Sequence, residues 1–359
     1  MLRWGHVGFG IEGHRALTTV ARILPSAHEW RRMVNSPTLP VSKKVGDPVL
    51  RMFALAIVAT LIESAPLTYG QDIGGRQRPR FRSGVDVIAM NVTVLDASRR
   101  YVTDLDRQDF HIFEDGRPQL VTFFQKGSLP LALALLIDTS ASMELNLAVA
   151  QEAAIGFVRE LSSVDVASVI DFDTHVQVLQ GFTSDQAALE GAIRKTAAGG
   201  STALYNAVYI ALKELNKTVL DETLTQSRRR AMVILSDGED TSSLVAYDEV
   251  LALAARSDVA IYAIGLLGRE TSGARRPNEA QFVLRRFAAQ TGGRAFFLGD
   301  AKGLAGIYGE IKAELTNQYF LAYESDNARR DGQFRRIAVR VERPGVVARS
   351  RPGYYAPGR

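Results

Sequence analysis

Three oxygen-bearing side chains directly follow an unbroken apolar stretch near the middle of the chain. The stretch is Leu131–Ile137, and Asp138, Ser140 and Ser142 come next within the run D-T-S-A-S. Such a continuous apolar run is typical of a strand buried on both faces of a parallel sheet. The polar side chains are then expected in the loop at the strand's carboxyl end, where open α/β sheets bind ligands. Hydroxyl and carboxylate oxygens, without Cys or His, suit a hard cation such as Mg²⁺.

A simpler interpretation of the cluster is helix capping, because Ser is favoured at helix N-termini. Two later segments favour the metal site. Gly199–Leu204 reads G-G-S-T-A-L and leads into an apolar-periodic helix, which places Thr202 at the junction. Ala231–Ser236 is a second buried apolar strand, and it ends at Asp237. Capping explains one Ser well, but it does not explain why three separate segments converge.

The ordered set D-x-S-x-S, then G-S-T-A-L, then an apolar strand ending in S-D-G closely resembles the von Willebrand factor A domain. In that family the set forms a metal-ion-dependent adhesion site. The resemblance implies that Ser140, Ser142 and Thr202 offer hydroxyls to the metal. It implies that Asp138 and Asp237 reach the metal directly or through water. The implied ion is Mg²⁺, with Mn²⁺ or Ca²⁺ as alternatives, and an open position would take an Asp or Glu from a ligand.

Other polar residues near these loops have more ordinary interpretations. Glu239 and Asp240 lie just after Asp237. We expect them to cap the next helix near Thr241–Ser243, and the alternative is that they tune the metal site. His175 follows a predicted strand in a turn, and a solitary His there is expected to be a loop residue and not a ligand.

Charge and cysteine content exclude several function classes. The 359 residues carry a net charge of +4, but residues 1–71 hold eight Lys/Arg and four Asp/Glu. The remainder is therefore neutral, with no basic footprint for nucleic acid. There are no cysteines, which excludes disulfides, zinc ribbons and thiol catalysis.

Residues 43–71 have the layout of a secretory signal. Basic Lys43, Lys44 and Arg51 precede the apolar run Met52–Ile62, and small and polar residues follow as far as Gln71. The run is short for a membrane span, although a retained anchor or a buried helix are alternatives. We expect an exported protein with no stable transmembrane span after processing, in the periplasm, at the cell surface or outside the cell. Because signals normally begin at the N-terminus, we hypothesise that translation starts at Met33 or Met52.

The chain between residues 130 and 318 alternates strand and helix patterns, which predicts a doubly wound, mostly parallel α/β sheet flanked by helices. The predicted strands are Leu131–Ile137, Ala167–Phe172, Val176–Leu179 at an edge, Ala231–Leu235, Ala260–Leu266 and Ala295–Leu298. The predicted helices are Leu145–Leu161, Gln186–Thr196, Ala203–Leu215, Ala246–Arg256, Ala280–Ala289 and Leu304–Leu315.

Strand patterns without helices flank this region on both sides. Before it come Val85–Leu95 and a predicted hairpin of Phe110–Glu114 with Leu120–Phe124 around Asp115-Gly116. After it come Tyr319–Tyr323, Arg336–Val341 and Val346–Arg349. Each β segment is too small to fold alone. We therefore predict a von Willebrand factor A-like domain inserted into a small β-sandwich-like module.

Two motifs in the flanking β segments resemble those of a family of bacterial secreted proteins related to the von Willebrand factor A domain. They are V-T-x-L-x-x-x-D-F-x-x-x-E-D-G (Val102–Gly116) and R-P-G-Y-Y-A-P (Arg351–Pro357). The predicted segments are 1–51 upstream, 52–71 signal, 72–84 linker, 85–126 first β part, 130–318 inserted domain and 319–357 second β part.

These observations predict metal-dependent binding of a protein or peptide that offers Asp or Glu. An alternative is a structural or assembly role in the cell envelope, in which the metal only stabilises the loops. A metal-dependent hydrolase is less favoured. The sequence contains no phosphate loop and no nucleophile elbow, and no candidate base is identifiable, so we expect no enzyme.

Overall fold

The structure is a computed structural model that describes residues 87–127, 129–220, 228–237, 239–267 and 279–358. These residues belong to one compact unit, residues 80–359. The predictions for the upstream segment 1–51, the signal 52–71 and the linker 72–84 lie outside the described residues. Among the described residues, no helix is both long enough and apolar enough to span a membrane.

Fourteen strands and six α-helices make up the described part of the chain. The strands are β1 (Val87–Asp96), β2 (Phe110–Glu114), β3 (Arg117–Gln119), β4 (Val121–Gln125), β5 (Leu131–Asp138), β6 (Val166–Phe172), β7 (Val176–Thr183), β8 (Arg229–Ser236), β9 (Val259–Leu266), β10 (Ala295–Leu298), β11 (Tyr319–Glu324), β12 (Phe334–Val341), β13 (Val346–Arg349) and β14 (Gly353–Tyr355). The helices are α1 (Leu147–Arg159), α2 (Gln186–Ile193), α3 (Leu204–Leu220), α4 (Tyr247–Arg256), α5 (Glu279–Thr291) and α6 (Leu304–Thr316).

The central sheet has six strands in the order β10-β9-β8-β5-β6-β7. Neighbouring strands are parallel except at the edge, where β7 pairs antiparallel with β6. Every residue of β5, β8 and β9 except Arg230 in β8 is buried. This burial explains why these strands appear as apolar runs and not as alternating patterns.

Helices cover both faces of this sheet. Alternate residues of a strand point to opposite faces, so Leu133 and Leu135 of β5 pack against α1, α2 and α6. Ala134 and Leu136 pack on the other face against α3, α4 and α5. The doubly wound, mostly parallel α/β sheet is therefore confirmed, and the ends of β8, β5 and β6 lie next to one another at its carboxyl edge.

Strands from the two ends of the described chain form two four-stranded sheets. Their orders are β13-β1-β11-β4 and β14-β12-β2-β3, and the pairs within both are antiparallel. One apolar cluster fills the space between them, including Val92, Phe110, Leu321 and Ile337. The predicted fold class, an α/β sheet inserted into a β-sandwich-like module, is confirmed. The division into segments with the boundaries given above remains a prediction.

A buried polar network joins this module to the α/β sheet. Glu314 of α6 is 1% exposed, and its carboxylate accepts hydrogen bonds from Tyr262 Oη at 2.8 Å and from Thr93 Oγ1 at 3.4 Å. It also pairs with Arg349 of β13. Burial, followed by the nearby Glu314 charge, raises the pKa of Tyr262 well above its usual value, so the hydroxyl remains a donor.

The structure corrects two details of the expected elements. The hairpin of β2 is made with β3 and not with Leu120–Phe124. The chain leaves this sheet at the exposed Leu120, and β4 then pairs with β11 in the other sheet. The expected helix Leu145–Leu161 is also wrong at its start, because a 3₁₀ helix, Ala141–Leu145, precedes α1. Strand β14 was not predicted.

Candidate metal centre

Three loops at the carboxyl edge of the central sheet carry the five predicted metal ligands. Asp138 ends β5, Ser140 follows it at the N-cap position of the 3₁₀ helix Ala141–Leu145, and Ser142 lies within that helix. Asp237 comes directly after β8, the neighbour of β5 in the sheet. Thr202 lies just before α3, in the glycine loop. Because β5 and β8 are parallel, their last residues emerge at the same edge.

Asp138 is fully buried, and both of its carboxylate oxygens accept hydrogen bonds. The backbone N–H of Ser140 donates to Oδ1 at 2.9 Å, and Ser236 Oγ donates to Oδ2 at 2.5 Å. Burial raises the pKa of Asp138 to about 6, against the lowering effect of these hydrogen bonds. A buried carboxylate with no basic partner is costly, and a bound cation would remove that cost.

A chain of side-chain hydrogen bonds connects the first loop to the loop after β8. Ser140 Oγ and Ser142 Oγ are 3.0 Å apart, and Ser142 Oγ donates to Asp237 Oδ1 at 2.7 Å. Burial raises the pKa of Asp237, and the Ser142 hydroxyl acts in the opposite direction. Three of the five predicted residues are thus directly linked through their side-chain oxygens, and Asp138 is linked to them through the Ser140 backbone.

The capping interpretation does not account for these serines. Ser140 stands at the N-cap position of the 3₁₀ helix, but its side chain makes no capping hydrogen bond there. The hydroxyl lies against that of Ser142 instead. Asn146, at the start of α1, makes no side-chain capping bond either.

Thr202 is held near the loop after β8 through its backbone. Its N–H donates to Thr241 Oγ1 at 3.0 Å, and its carbonyl accepts from the backbone N–H groups of Thr241 at 2.8 Å and Ser242 at 3.1 Å. Among the described residues, no side-chain hydrogen bond joins Thr202 to the other four candidates. The structure therefore places Thr202 at the same edge without direct contact to the linked oxygens.

Backbone hydrogen bonds fasten the glycine loop to the first loop as well. The N–H of Gly199 donates to the carbonyl of Thr139 at 2.7 Å, and the N–H of Ala141 donates to the carbonyl of Gly200 at 3.1 Å. Gly200 has φ +72°, and a Cβ there would lie 2.6 Å from Thr174 Oγ1. This position needs glycine for both its backbone angle and its close approach.

Sequence reasoning missed several residues that support the candidate ligands. Ser236 donates a hydrogen bond to Asp138, and Thr241 accepts one from the backbone N–H of Thr202. Thr139, between Asp138 and Ser140, donates a hydrogen bond through its Oγ1 to Asp171. The sequence interpretation assigned no role to Asp171. Asp171 is the one charged residue in the otherwise mostly apolar strand β6. That charge was the only feature of the sequence that could have indicated its hydrogen-bonding role. Nothing in the local pattern distinguishes Thr241 from an ordinary loop residue.

The structure corrects the expected role of Asp240. The next helix, α4, begins at Tyr247 and not near Thr241–Ser243. Asp240 Oδ1 instead accepts from the backbone N–H of Tyr205 at 3.1 Å, in the first turn of α3, and from Ser243 Oγ at 2.6 Å. It thus stabilises the helix that follows Thr202. His175 lies in the exposed turn between β6 and β7, as expected.

The loops that carry or adjoin the candidate ligands have only acidic formal charge. Residues 138–146, 171–176 and 236–248 contain Asp or Glu, residues 197–206 contain neither, and none of these four ranges contains Lys or Arg. Two of these acids, Glu144 and Glu239, are exposed. An anionic ligand would therefore find no basic side chain in these loops.

The donor set fits a hard divalent cation. Two carboxylates and hydroxyl oxygens, without nitrogen or sulfur, match the preference of Mg²⁺ or Mn²⁺. In the described parts of the chain, no group of three or more His, Cys, Asp or Glu is arranged to hold a metal. A site here would therefore depend on the serine and threonine hydroxyls.

Comparisons with known proteins find one matching family model and several similar solved structures. Residues 133–239 match the family model described as von Willebrand factor type A domain. A von Willebrand factor type A structure from Catenulispora acidiphila is 13% identical, with a TM-score of 0.45, over 76% of this chain and 74% of that chain. No curated protein sequence matches the chain.

Two further solved structures are similar at comparable levels. The conserved hypothetical protein BatB from Bacteroides thetaiotaomicron is 18% identical, with a TM-score of 0.40, over 51% of this chain and 97% of that chain. Proximal thread matrix protein 1 from the mussel byssus, solved with zinc in its metal-ion-dependent adhesion site (MIDAS) motif, is 16% identical, with a TM-score of 0.41. The match covers 55% of this chain and 48% of that chain.

Proposed function

We propose that the protein is a metal-dependent binding module, since residues 133–239 match the von Willebrand factor type A family model. Asp138, Ser140, Ser142, Thr202 and Asp237 would hold Mg²⁺ or Mn²⁺, and a protein or peptide ligand would complete the site with an Asp or Glu side chain. The bound ion would supply a positive charge and an open coordination position.

The observation that carries this proposal is the composition of the edge. Hydrogen bonds link the oxygen donors of Ser140, Ser142 and Asp237 there, Thr202 lies on a third loop at the same edge, and these loops contain no Lys or Arg. Without a cation, the acidic loops repel a carboxylate ligand. With a divalent cation, the open coordination position can bind one carboxylate directly. Ligand binding at this edge should therefore depend strictly on the metal.

The chain's own residues fix the donors in place. Ser236 and the Ser140 backbone orient the Asp138 carboxylate, while Ser142 orients that of Asp237. Thr241 positions Thr202 through its backbone. Such fixed partners reduce the cost of ordering ligands around an ion. No group in this arrangement is placed as a general base or nucleophile, so we favour binding over catalysis.

A peptide array tests the proposal. Immobilised peptides that contain one Asp or Glu are compared with matched peptides that contain Asn or Gln, in Mn²⁺, in Mg²⁺ and in EDTA. We expect the full chain to bind only the acidic peptides, and only with metal. Ser142→Ala should weaken this binding. Ser184→Ala, which changes an exposed serine just after the last residue of β7, should not.

The array also separates binding from a purely structural role. Circular dichroism in EDTA should show a folded protein that has lost its peptide binding. If EDTA leaves peptide binding unchanged, or if Asn peptides bind as well as Asp peptides, the proposal is wrong. We further propose that the module acts outside the cytoplasm, on the evidence of residues 43–71 alone.

A further inference from the structure

Two leucines beside the candidate metal loops are almost completely exposed. Leu145 is 92% exposed and Leu244 is 95% exposed, the two highest values among the large hydrophobic side chains of the described residues. Single exposed leucines are common on protein surfaces. These two are unusual because both lie on the loops that carry the candidate ligands, Leu145 three residues after Ser142 and Leu244 seven residues after Asp237.

The backbone holds both leucines in ordered turns. Leu145 ends the 3₁₀ helix Ala141–Leu145, which is anchored by the fully buried Met143. The backbone N–H of Leu244 donates to Asn206 Oδ1 of α3 at 3.1 Å. The two loops are themselves joined by the Ser142–Asp237 hydrogen bond. The leucine side chains are therefore presented to solvent from positions fixed relative to the metal ligands.

The acidic residues of the candidate metal loops limit which ligands can bind there. Asp138 and Asp237 would balance the charge of a divalent ion, but Glu144 and Glu239 remain exposed nearby. One incoming carboxylate can pair with the metal, whereas a second acidic residue placed beside Glu144 or Glu239 would meet like charge. The ligand segment is therefore expected to carry a single acid with uncharged neighbours.

We propose that Leu145 and Leu244 are specificity-determining contacts for a peptide segment that presents one Asp or Glu flanked by apolar residues. The acid completes the metal site, and the apolar flanks cover the two leucines. Burial of their side chains would supply affinity that is independent of the ion. This inference rests on the proposed function, since it names the ligand class of the same site.

The peptide array tests the inference when the residues flanking a single Asp are varied among Leu, Ser and Glu. In Mn²⁺ we expect Leu-flanked peptides to bind the full chain about tenfold more tightly than Ser-flanked ones, and Glu-flanked peptides to bind least. In the double variant Leu145→Ser/Leu244→Ser, the preference for Leu should fall to about one, while Ser-flanked peptides bind as before. Its Mn²⁺ affinity, measured by calorimetry, should be unchanged.

The matched control is Leu120→Ser, which changes a leucine that is 75% exposed in the β-sandwich-like module. It should keep the full preference. If the wild type binds no metal, or binds acidic peptides without metal, the proposed function fails. If metal-dependent binding holds but the double variant retains the preference for Leu flanks, only this inference fails.

A second copy of the chain is the competing occupant of the leucines. Sedimentation velocity of the wild type at increasing concentration should show no self-association through this edge. If the wild type associates and Leu145→Ser/Leu244→Ser abolishes that association, the leucines serve a contact between copies and the inference is overturned.

Discussion

Ser142 Oγ donates a 2.7 Å hydrogen bond to Asp237 Oδ1 across 95 positions of sequence. The two residues follow neighbouring parallel strands, β5 and β8, so the sheet brings their loops together. The bond brings two of the candidate donor groups into direct contact. The glycine loop completes this edge, and its geometry leads to the first prediction.

Gly200→Ala should weaken metal binding. The substitution forces a non-glycine residue to φ +72° and places Cβ 2.6 Å from Thr174 Oγ1, the atom that accepts a hydrogen bond from the backbone N–H of Ser201. The strain should cost about 1–2 kcal/mol of unfolding free energy. It should also displace Thr202, which we expect to lower Mn²⁺ affinity about tenfold, since each factor of ten is ~1.4 kcal/mol. Calorimetry and urea unfolding measure both effects.

Gly199→Ala is the matched control. A Cβ on this neighbouring glycine would have no heavy atom within 4 Å, and its backbone angle is not in the left-handed region. The two variants should therefore differ in both stability and metal affinity. If the two variants lose equal unfolding free energy, the loop tolerates a non-glycine residue at the left-handed backbone angle of position 200. If they also lose equal Mn²⁺ affinity, the backbone geometry at Gly200 does not position a metal ligand.

The buried strands and the candidate edge were predictable from sequence because strands buried on both faces appear as apolar runs. Leu131–Ile137 and Ala231–Leu235 each lie within an observed strand, β5 and β8. The residues that follow such strands must emerge at one edge. The two acidic positions, Asp138 and Asp237, were therefore brought together by topology alone.

The remaining features depend on contacts that no local pattern encodes. Asp240 has the expected capping chemistry, but it caps α3, which precedes it in the chain, and not the following helix. Glu314 appears in sequence as one charged residue of an amphipathic helix, and its burial depends on Arg349 and Thr93 from distant strands. The change of sheet at Leu120 likewise depends on which partner strands compete for β4.

Glu314→Ala should be strongly destabilising. The substitution leaves Arg349 without its partner and removes the acceptor of the buried Tyr262 hydroxyl. Breaking a buried pair by removing one member costs about 3–5 kcal/mol, and the value here should fall near the lower end because Arg349 is partly exposed. Urea unfolding of the full chain measures the loss. The metal affinity of the folded variant should be unchanged, because Glu314 contacts the β-sandwich-like module and does not lie in the metal loops.

Arg194→Ala provides the comparison for a surface ion pair. Arg194 bonds Glu152 at 2.9 Å, but both side chains are more than half exposed. Such pairs contribute about 0–1 kcal/mol. If Glu314→Ala costs no more than Arg194→Ala, the buried network does not hold the two parts of the structure together.

The isolated insert, about residues 130–318, should fold and bind metal alone. Its core is closed on both faces of the central sheet by its own helices. Residues 85–126 alone should be disordered, because β11 lies between β1 and β4 in the sheet order and would be missing. Circular dichroism and thermal melts of the two fragments test this division. Cooperative unfolding of residues 85–126 alone would contradict it.

Processing is a separate prediction from the sequence. The exported chain should begin shortly after the apolar run Met52–Ile62, near residues 65–72. N-terminal sequencing of the protein from an envelope fraction is the measurement. A mature protein that retains residues 1–32 would contradict both the signal and the proposed later start.

Calorimetric titration of Mn²⁺ into the wild type and into Asp138→Ala tests the central claim most directly. Asp138→Asn is the isosteric companion, because an amide can still accept from the Ser140 N–H and bond the Ser236 hydroxyl. We predict saturable binding to the wild type and none to either variant, with all three proteins folded by circular dichroism. Undiminished Mn²⁺ binding by a folded Asp138→Ala would show that the metal is not held at this edge.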